Sequence, residues 1–391
     1  MNYFKVLSSL PAQLIAVIIS VTLLGSYFPL SFMQTSLTFS LIFKELLNAL
    51  LPFIVFTFIS TGILALKKNA PVVLALMLGV IFFSNGLAAT LVYLLSRIFV
   101  PLVSCQLPEQ AIETVQCIEP FFKIHVPVIA ESVTMLKWAI GVGLIGSLVE
   151  INGLRSMLNT LKTIIEQLMS RLFIPLLPLY ILGFLIDLRC KGTLGMLVGQ
   201  YGKAVMVIVA LQLLYLFFMY LVAADFSPRR ALVYIQHALP SYLTAFSTMS
   251  SAATIPVTLN SAKKNIPNHD LADMAVPIMA NVHLVGDSIS TPMLALVTLM
   301  VFKGCLPAFV PYCFFVLNFC TNMFAVSGIP GGGILVMIPI LSQYLGFDDQ
   351  MNSVITALYF LMDSFGTAAN VMGDGALVII VNRILKKLRL I

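Results

Sequence analysis

Three side chains near the end of this chain have the chemistry and spacing of a buried cation site. Asp363, Asn370 and Asp374 stand seven and four residues apart in an apolar stretch, which puts them near one face of a helix. A carboxylate at the middle of a membrane costs about 3 kcal/mol or more on insertion scales, so two of them need something to offset that cost. A substrate ammonium can pair with Asp363 and a sodium ion with Asp374, because hard cations take carboxylate and carbonyl oxygens. The plainer alternative is a pair of acids that hydrogen-bond between helices.

Two polar interruptions precede these acids. Residues 250–256 read Ser-Ser-Ala-Ala-Thr-Ile-Pro. Hydroxyls and bare amides at Ser250 and Ser251 can hold a carboxylate, or the small residues can simply let two helices approach. Residues 327–333 read Ser-Gly-Ile-Pro-Gly-Gly-Gly, a turn whose backbone can come close to a solute. It lacks the Lys-Ser/Thr ending of a phosphate-binding loop. His283 and Asp287 stand one helical turn apart, as a proton relay or as a structural pair. His125, His237 and His269 form no metal-ligand cluster. Broken polar backbone is tolerated at membrane depth only against protein or a watery cavity. The pattern therefore predicts a buried site for a small polar solute and its coupling ions.

The elements that must position these residues are helical and apolar. Of 391 residues, 60% are hydrophobic and 10% charged, and mean hydropathy is +1.02. A water-soluble domain carries about 25% charged residues, so the main solvent here is a bilayer. Apolar runs over 11–30, 36–66, 71–104, 128–150, 156–188 and 194–224 are long enough to span it. No cleavage site follows the first run, which reads as a helix rather than a signal peptide. No short alternating strands suggest a barrel. The net charge of +6 is no sign of nucleic-acid binding, because Lys67, Lys68, Arg229, Arg230, Lys263, Lys264 and the basic residues from Arg383 lie in short connections or the tail. The positive-inside rule puts these and both termini in the cytoplasm, and the acidic loop 105–127 outside. Cys190, Cys305, Cys313 and Cys320 read as packing residues, while Cys105 and Cys117 flank the outer loop and are close enough in sequence for a disulfide to be considered.

After residue 225 the pattern changes. Residues 228–266 read as a re-entrant hairpin, 268–302 as a span broken at Asn281–Ser290, 307–346 as a second hairpin from the opposite side, and 350–385 as a last span. This hairpin–span duplication follows the inverted-repeat logic of secondary transporters. The expected fold is an all-α polytopic membrane protein with about eight transmembrane helices and two opposed re-entrant hairpins.

Over 240–382, the order of hairpins and broken span and the pattern Asp-x3-Thr-x2-Asn-x2-Gly-Asp from Asp363 to Asp374 resemble the dicarboxylate/amino acid:cation symporter family, the glutamate-transporter fold. The likeness is weaker over the first 225 residues. It implies a homotrimer in the inner membrane whose scaffold lies mostly in 1–225, with the third and sixth spans joining a transport core at 226–391 that moves as an elevator. It also implies an amino-acid substrate, sodium as coupling ion, and no other cofactor. Asp363 resembles the acid that holds the substrate amino group, with Thr367 and Asn370 as polar partners. Ser251, with Ser250 beside it, and the tip from Ile329 through Gly331 to Gly333 resemble the cradle for its carboxylate. Asp374 with the backbone of Asn370, Met279 and His283 resembles one sodium site. The backbone of Asn281, Met323, Phe324 and Val326 resembles another.

Departures from the family pattern narrow the reading. Acidic-substrate members carry Arg where this chain has Gly366, and the first-tip arginine of some members is Met249. A second substrate carboxylate would lack its bidentate partner, which favours a neutral amino acid. The family's Asn-Met-Asp-Gly-Thr reads His283 to Asp287, so Val285 replaces an acid, and Ile81 replaces a tyrosine, although Ser84 and Asn85 can offer oxygens. Fewer sodium ions, or a proton on His283/Asp287, would follow. Proton-coupled transport and acidic or dicarboxylate substrates stay open as alternatives, as does a passive channel. An intramembrane aspartyl protease would need acids on two facing helices and a Gly-x-Gly-Asp motif. Here both acids share one helix and Val371 takes the first glycine position.

Overall fold

A computed structural model of the chain describes residues 10–64, 71–103, 118–127, 132–148, 152–190, 194–324, 326 and 332–389. Among the described residues there is no strand. The helices are α1 (Leu10–Leu24), α2 (Leu30–Leu64), α3 (Pro71–Val103), α4 (Ser132–Leu148), α5 (Asn152–Leu168), α6 (Ile174–Cys190) and α7 (Leu194–Ala223). They continue as α8 (Pro228–Thr248), α9 (Ser251–Asn265), α10 (His269–Val282), α11 (Val285–Lys303), α12 (Phe309–Met323), α13 (Gly332–Leu345) and α14 (Asp349–Lys387). The run 156–188, read from sequence as one span, is two helices joined by a π turn at Met169–Phe173. The reason is local: Arg155 and Lys162 give α5 a polar side, and among its described residues Leu158 and Ile165 alone are buried.

Four stretches are long and apolar enough to cross a bilayer: Ala75–Leu102, Val198–Ala223, His269–Lys303 and Asp349–Lys387. They differ in surroundings. The apolar windows of the first two are 39% and 28% buried within the protein, whereas those of the last two are 94% and 89% buried. Exposed side chains such as Leu102, Trp138, Met206 and Leu214 give the outer helices a greasy surface. The α10–α11 and α14 segments are sheathed by other helices, and only such helices can carry acids cheaply.

Packing follows that division. α2 lies against α4 and α6, and α1 against α6. α14 is enclosed by α7, α8, α9, α10 and α11, and α3 packs on α11 and α12. α8 and α9 form a helical hairpin. Ser241 and Ser261 hydroxyls lie 2.8 Å apart across it, and Asn265 meets His237 at 2.6 Å. At the open end of the hairpin, Arg383 near the end of α14 bonds Asp225, just before α8. The cysteines divide: Cys320 is buried where α12 meets α3, but Cys305 and Cys313 are exposed, because they sit in a turn and on the outer face of α12. Cys105 and Cys117 lie outside the described residues.

Candidate substrate and ion site

The break between α10 and α11 is narrower than the sequence suggests. Only His283 and Leu284 leave the helix, rather than a segment from Asn281 to Ser290. The cause is a cap supplied by another helix. Leu284 heads α11 with no side chain able to accept its first amides. Asn370 Oδ1 on α14 accepts them instead, from Gly286 N at 2.7 Å and Asp287 N at 3.2 Å. With those N–H groups satisfied, the helix can restart at Val285. Carbonyls on either side of the break are engaged as well. Met279 O accepts from His283 N, Val282 O from Asn85 Nδ2, and Gly286 O from Gln212 Nε2.

Asn370 is thereby fixed in orientation. Its oxygen faces α11 amides, so its Nδ2 points at Asp287 and donates to Oδ2 at 2.9 Å. Tyr359 Oη donates to the other oxygen, Oδ1, at 3.0 Å. The helices approach closely here: a Cβ on Gly286 would stand 2.2 Å from Gly366 O. Asp363 lies on the same face of α14, buried, and accepts from Thr367 Oγ1 at 3.2 Å.

His283 does not pair with Asp287, as their one-turn spacing allowed. The helix break lies between them and turns His283 the other way, where Nδ1 meets Asp374 Oδ1 at 2.9 Å and Nε2 lies 3.0 Å from Ser84 Oγ on α3. Asp374 is fully buried, and its Oδ2 has no hydrogen-bond partner; neither has Asn85 Oδ1. A buried carboxylate oxygen and an amide oxygen without partners are the donor types a hard cation takes. Met279 ends its carbonyl on His283 N, so its role in such a site competes with the helix cap. Val285, standing where the family has an acid, packs towards Gly373, where a Cβ would lie 2.6 Å from its Cγ1. The second set of expected ion ligands sits at two helix ends, Asn281 closing α10 and Met323, Phe324 and Val326 closing α12, with Val326 N on Met323 O.

Both interrupted segments end beside the N-terminal half of α14. Phe246, near the end of α8, packs edge-on against Phe365 at 5.0 Å between ring centres, two residues from Asp363. α8 then closes on Met249 in a left-handed conformation, and Ser250 caps α9 by accepting from Ala253 N at 3.2 Å. Ser251, in the first turn of α9, is buried. From the other side Gly333 sits directly on Tyr359, four residues before Asp363, and a Cβ there would fall 2.2 Å from Tyr359 Oη. Ile329 and Gly331 lie outside the described residues. Sequence reading missed Tyr359 and Gln212. Tyr359 could have been found one turn before Asp363 on the same face, and Gln212 as one of two amides in the apolar run of α7.

The described residues are helical, with long apolar helices and buried acids on α11 and α14, as suits a membrane protein, and the family match assigns the class: a membrane transporter. A family model for the sodium:dicarboxylate symporter family matches residues 10–384, and the chain belongs to that family. Among its relatives is the serine/threonine transporter SstT of Streptococcus thermophilus (strain CNRZ 1066), 28% identical over 236 residues, which cover 56% of this chain and 55% of the relative. Proteins of the same name from strains ATCC BAA-250 / LMG 18311 and ATCC BAA-491 / LMD-9 match to the same extent. The match thus spans about half the length of these relatives. Family membership bears out the multi-pass membrane reading and sets the protease reading aside.

Proposed function

We propose that this protein is a secondary active symporter that carries a neutral amino acid together with sodium, its transport core moving as an elevator. The observation that carries the reading is the convergence of the α8–α9 and α12–α13 segments on the N-terminal half of α14, around Asp363. α14 has 39 residues, about 58 Å at helical rise, and Asp363 lies about 21 Å from its start. Two helical pairs that reach only that far are hairpins that enter and return, flanking a site rather than crossing.

In this reading Asp363 holds the substrate ammonium, with Thr367 and Asn370 beside it. The first turn of α9 at Ser250 and Ser251 and the tip from Ile329 to Gly333 take the α-carboxylate, as amides at a helix start favour an anion. Gly366 leaves no cation for a second carboxylate, so the substrate is not acidic. Asp374 Oδ2 takes sodium, while His283 on Oδ1 and Val285 in place of an acid reduce the number of ions below the family's full set. The core comprises 226–391 with α3 and α7, whose packing on α11 and α14 supports the division; α1, α2, α4, α5 and α6 form the scaffold of a homotrimer. About eight membrane-crossing elements complete the arrangement.

Reconstitution tests this. Proteoliposomes are loaded with labelled neutral amino acids under an imposed sodium gradient, with a pH gradient as the second arm. Accumulation that needs the sodium gradient is expected. Accumulation driven by the pH gradient alone favours a proton as coupling ion, the reading for which the His283–Asp374 contact speaks. Uptake indifferent to both refutes coupled transport.

A further inference from the structure

We propose that the end of the molecule where α7, α8 and α14 meet binds the headgroup of an anionic phospholipid. The inference stands on this surface alone and does not depend on which solute is carried. Three segments far apart in the chain converge there. Arg383, near the end of α14, donates to the Asp225 carboxylate and, through Nη2, to Val222 O at 2.6 Å. Arg230, in the first turn of α8, has its Nη1 3.6 Å from the other Asp225 oxygen. One carboxylate thus gathers two guanidinium groups. Each guanidinium has about five N–H donors in a planar fork, so both keep donors for a phosphate. Lys386 and Lys387 follow Arg383 by three and four residues and share its side of the helix. These two lysines, Arg229 and Arg389 are exposed and have no ion-pair partner among the described residues. Segments 222–233 and 382–389 together carry six cations and a single acid, so the surface stays strongly positive after Asp225 is counted.

Several basic residues elsewhere are engaged by the protein itself. Lys263 is taken by Asp273 at 2.7 Å, Lys303 by Gly346 O at 2.6 Å, and Arg97 by Pro307 O at 3.0 Å. The α7–α8–α14 patch instead has apolar neighbours. Asp225 and Phe226 both have positive φ, 52° and 58°, a conformation that non-glycine residues rarely adopt, and the turn leaves Phe226 66% exposed. Leu232 and Leu388 are exposed at the same end. An aromatic ring and aliphatic side chains beside cations suit a phospholipid, whose phosphate and acyl chains meet both kinds of group. A soluble anion would use the charges alone. The location agrees. The apolar run of α7 stops at Ala223, two residues before Asp225, so the cations lie where hydrocarbon gives way to headgroups. Clusters of about four to eight cations just outside a span attract anionic lipid, and the positive-inside rule places this one on the cytoplasmic leaflet.

The test is lipid binding to the purified chain in neutral detergent, measured by native mass spectrometry. The probes are dioleoylphosphatidylglycerol and dioleoylphosphatidylcholine, which share acyl chains and a phosphate and differ in net charge. The anionic lipid is expected to bind about tenfold or more tightly than the zwitterionic one. A triple variant, Arg229→Gln, Lys386→Gln and Lys387→Gln, alters exposed side chains outside the proposed transport site, and its melting temperature checks that it folds. It should lower the affinity for phosphatidylglycerol about tenfold or more, since each cation near a lipid surface contributes about a fivefold factor. A control triple, Lys123→Gln, Lys203→Gln and Lys264→Gln, removes the same charge from exposed positions elsewhere and should leave that affinity nearly unchanged. Inorganic phosphate, compared with chloride at equal ionic strength, should not displace the lipid. Equal affinity of the parent for the two lipids, an equal loss in the two triples, or displacement by phosphate overturns the phospholipid site. The comparison of lipids on the parent holds even if a variant fails to fold, and none of these outcomes bears on the symport reading, which the uptake assay tests separately.

Discussion

Gly286→Ala probes the joint on which the site depends. The added methyl carbon would lie 2.2 Å from Gly366 O, 2.8 Å from Ala369 Cβ and 3.0 Å from Asn370 Oδ1. Comfortable contact is about 3.5 Å, so α11 and α14 must separate by roughly 1 Å. Overpacking of this kind costs about 1–3 kcal/mol. The shift also breaks the bonds from Gly286 N and Asp287 N to Asn370, each contributing about 1 kcal/mol. Replacing a helical glycine by alanine returns about 1 kcal/mol. The net loss is about 2–4 kcal/mol, which lowers the melting temperature by roughly 2–5 °C. The assay is a thermal melt of the purified protein with and without serine, and the serine-dependent shift should vanish because Asn370 and Asp287 move apart. Two glycines serve as controls. Gly183→Ala would put a Cβ 2.1 Å from Ser36 O at the α2–α6 contact, so it should lower the melting temperature but keep the serine shift. Gly79→Ala meets nothing within 4 Å and should melt no earlier than the parent. A Gly286→Ala protein with both the melt and the serine shift of the parent would refute the tight α11–α14 joint.

Asp363→Ala should abolish amino-acid binding while Asp374→Ala mainly weakens its sodium dependence, checked by titrating substrate at several sodium concentrations; normal transport by both would refute the assignments. His283→Ala removes the partner of a fully buried carboxylate and should cost about 3 kcal/mol in sodium-free melts, with sodium restoring more stability than it gives the parent. Gly333→Ala, with its Cβ 2.2 Å from Tyr359 Oη, should weaken substrate binding at least tenfold in uptake competition, because the tip can no longer settle on α14.

What was legible in the sequence, and what was not, divides by the range of the interactions. The face of α14 could be read from spacing alone, since residues at such intervals share a side of a helix whatever surrounds it. So could the existence of an interruption between α10 and α11, from a cluster of polar residues in an apolar run. The extent of that interruption could not, because the cap for α11 comes from Asn370, 84 positions away. The same holds for His283. Its nearest acid in sequence is Asp287, but a two-residue break rotates one away from the other, and its partners come from α3 and α14. Tyr359 went unseen because a tyrosine in a greasy helix has many ordinary reasons to be there. Cys313 misled in the opposite sense: an apolar neighbourhood in sequence says nothing about which side of α12 meets protein.

The enclosure of α14 bears on how such a chain can be assembled at all. Mean hydropathy reaches 2.5 in α7 but only 1.4 in α14, which carries both acids. Taken alone, α14 would partition poorly into lipid. The helices that wrap it, α7, α8, α9, α10 and α11, all precede it in the chain. During synthesis the polar helix can thus be received by a protein surface already in place instead of by hydrocarbon. Reordering the gene so that α14 is made before its wrapping would deny it that reception, and the acids that serve transport would then count against insertion.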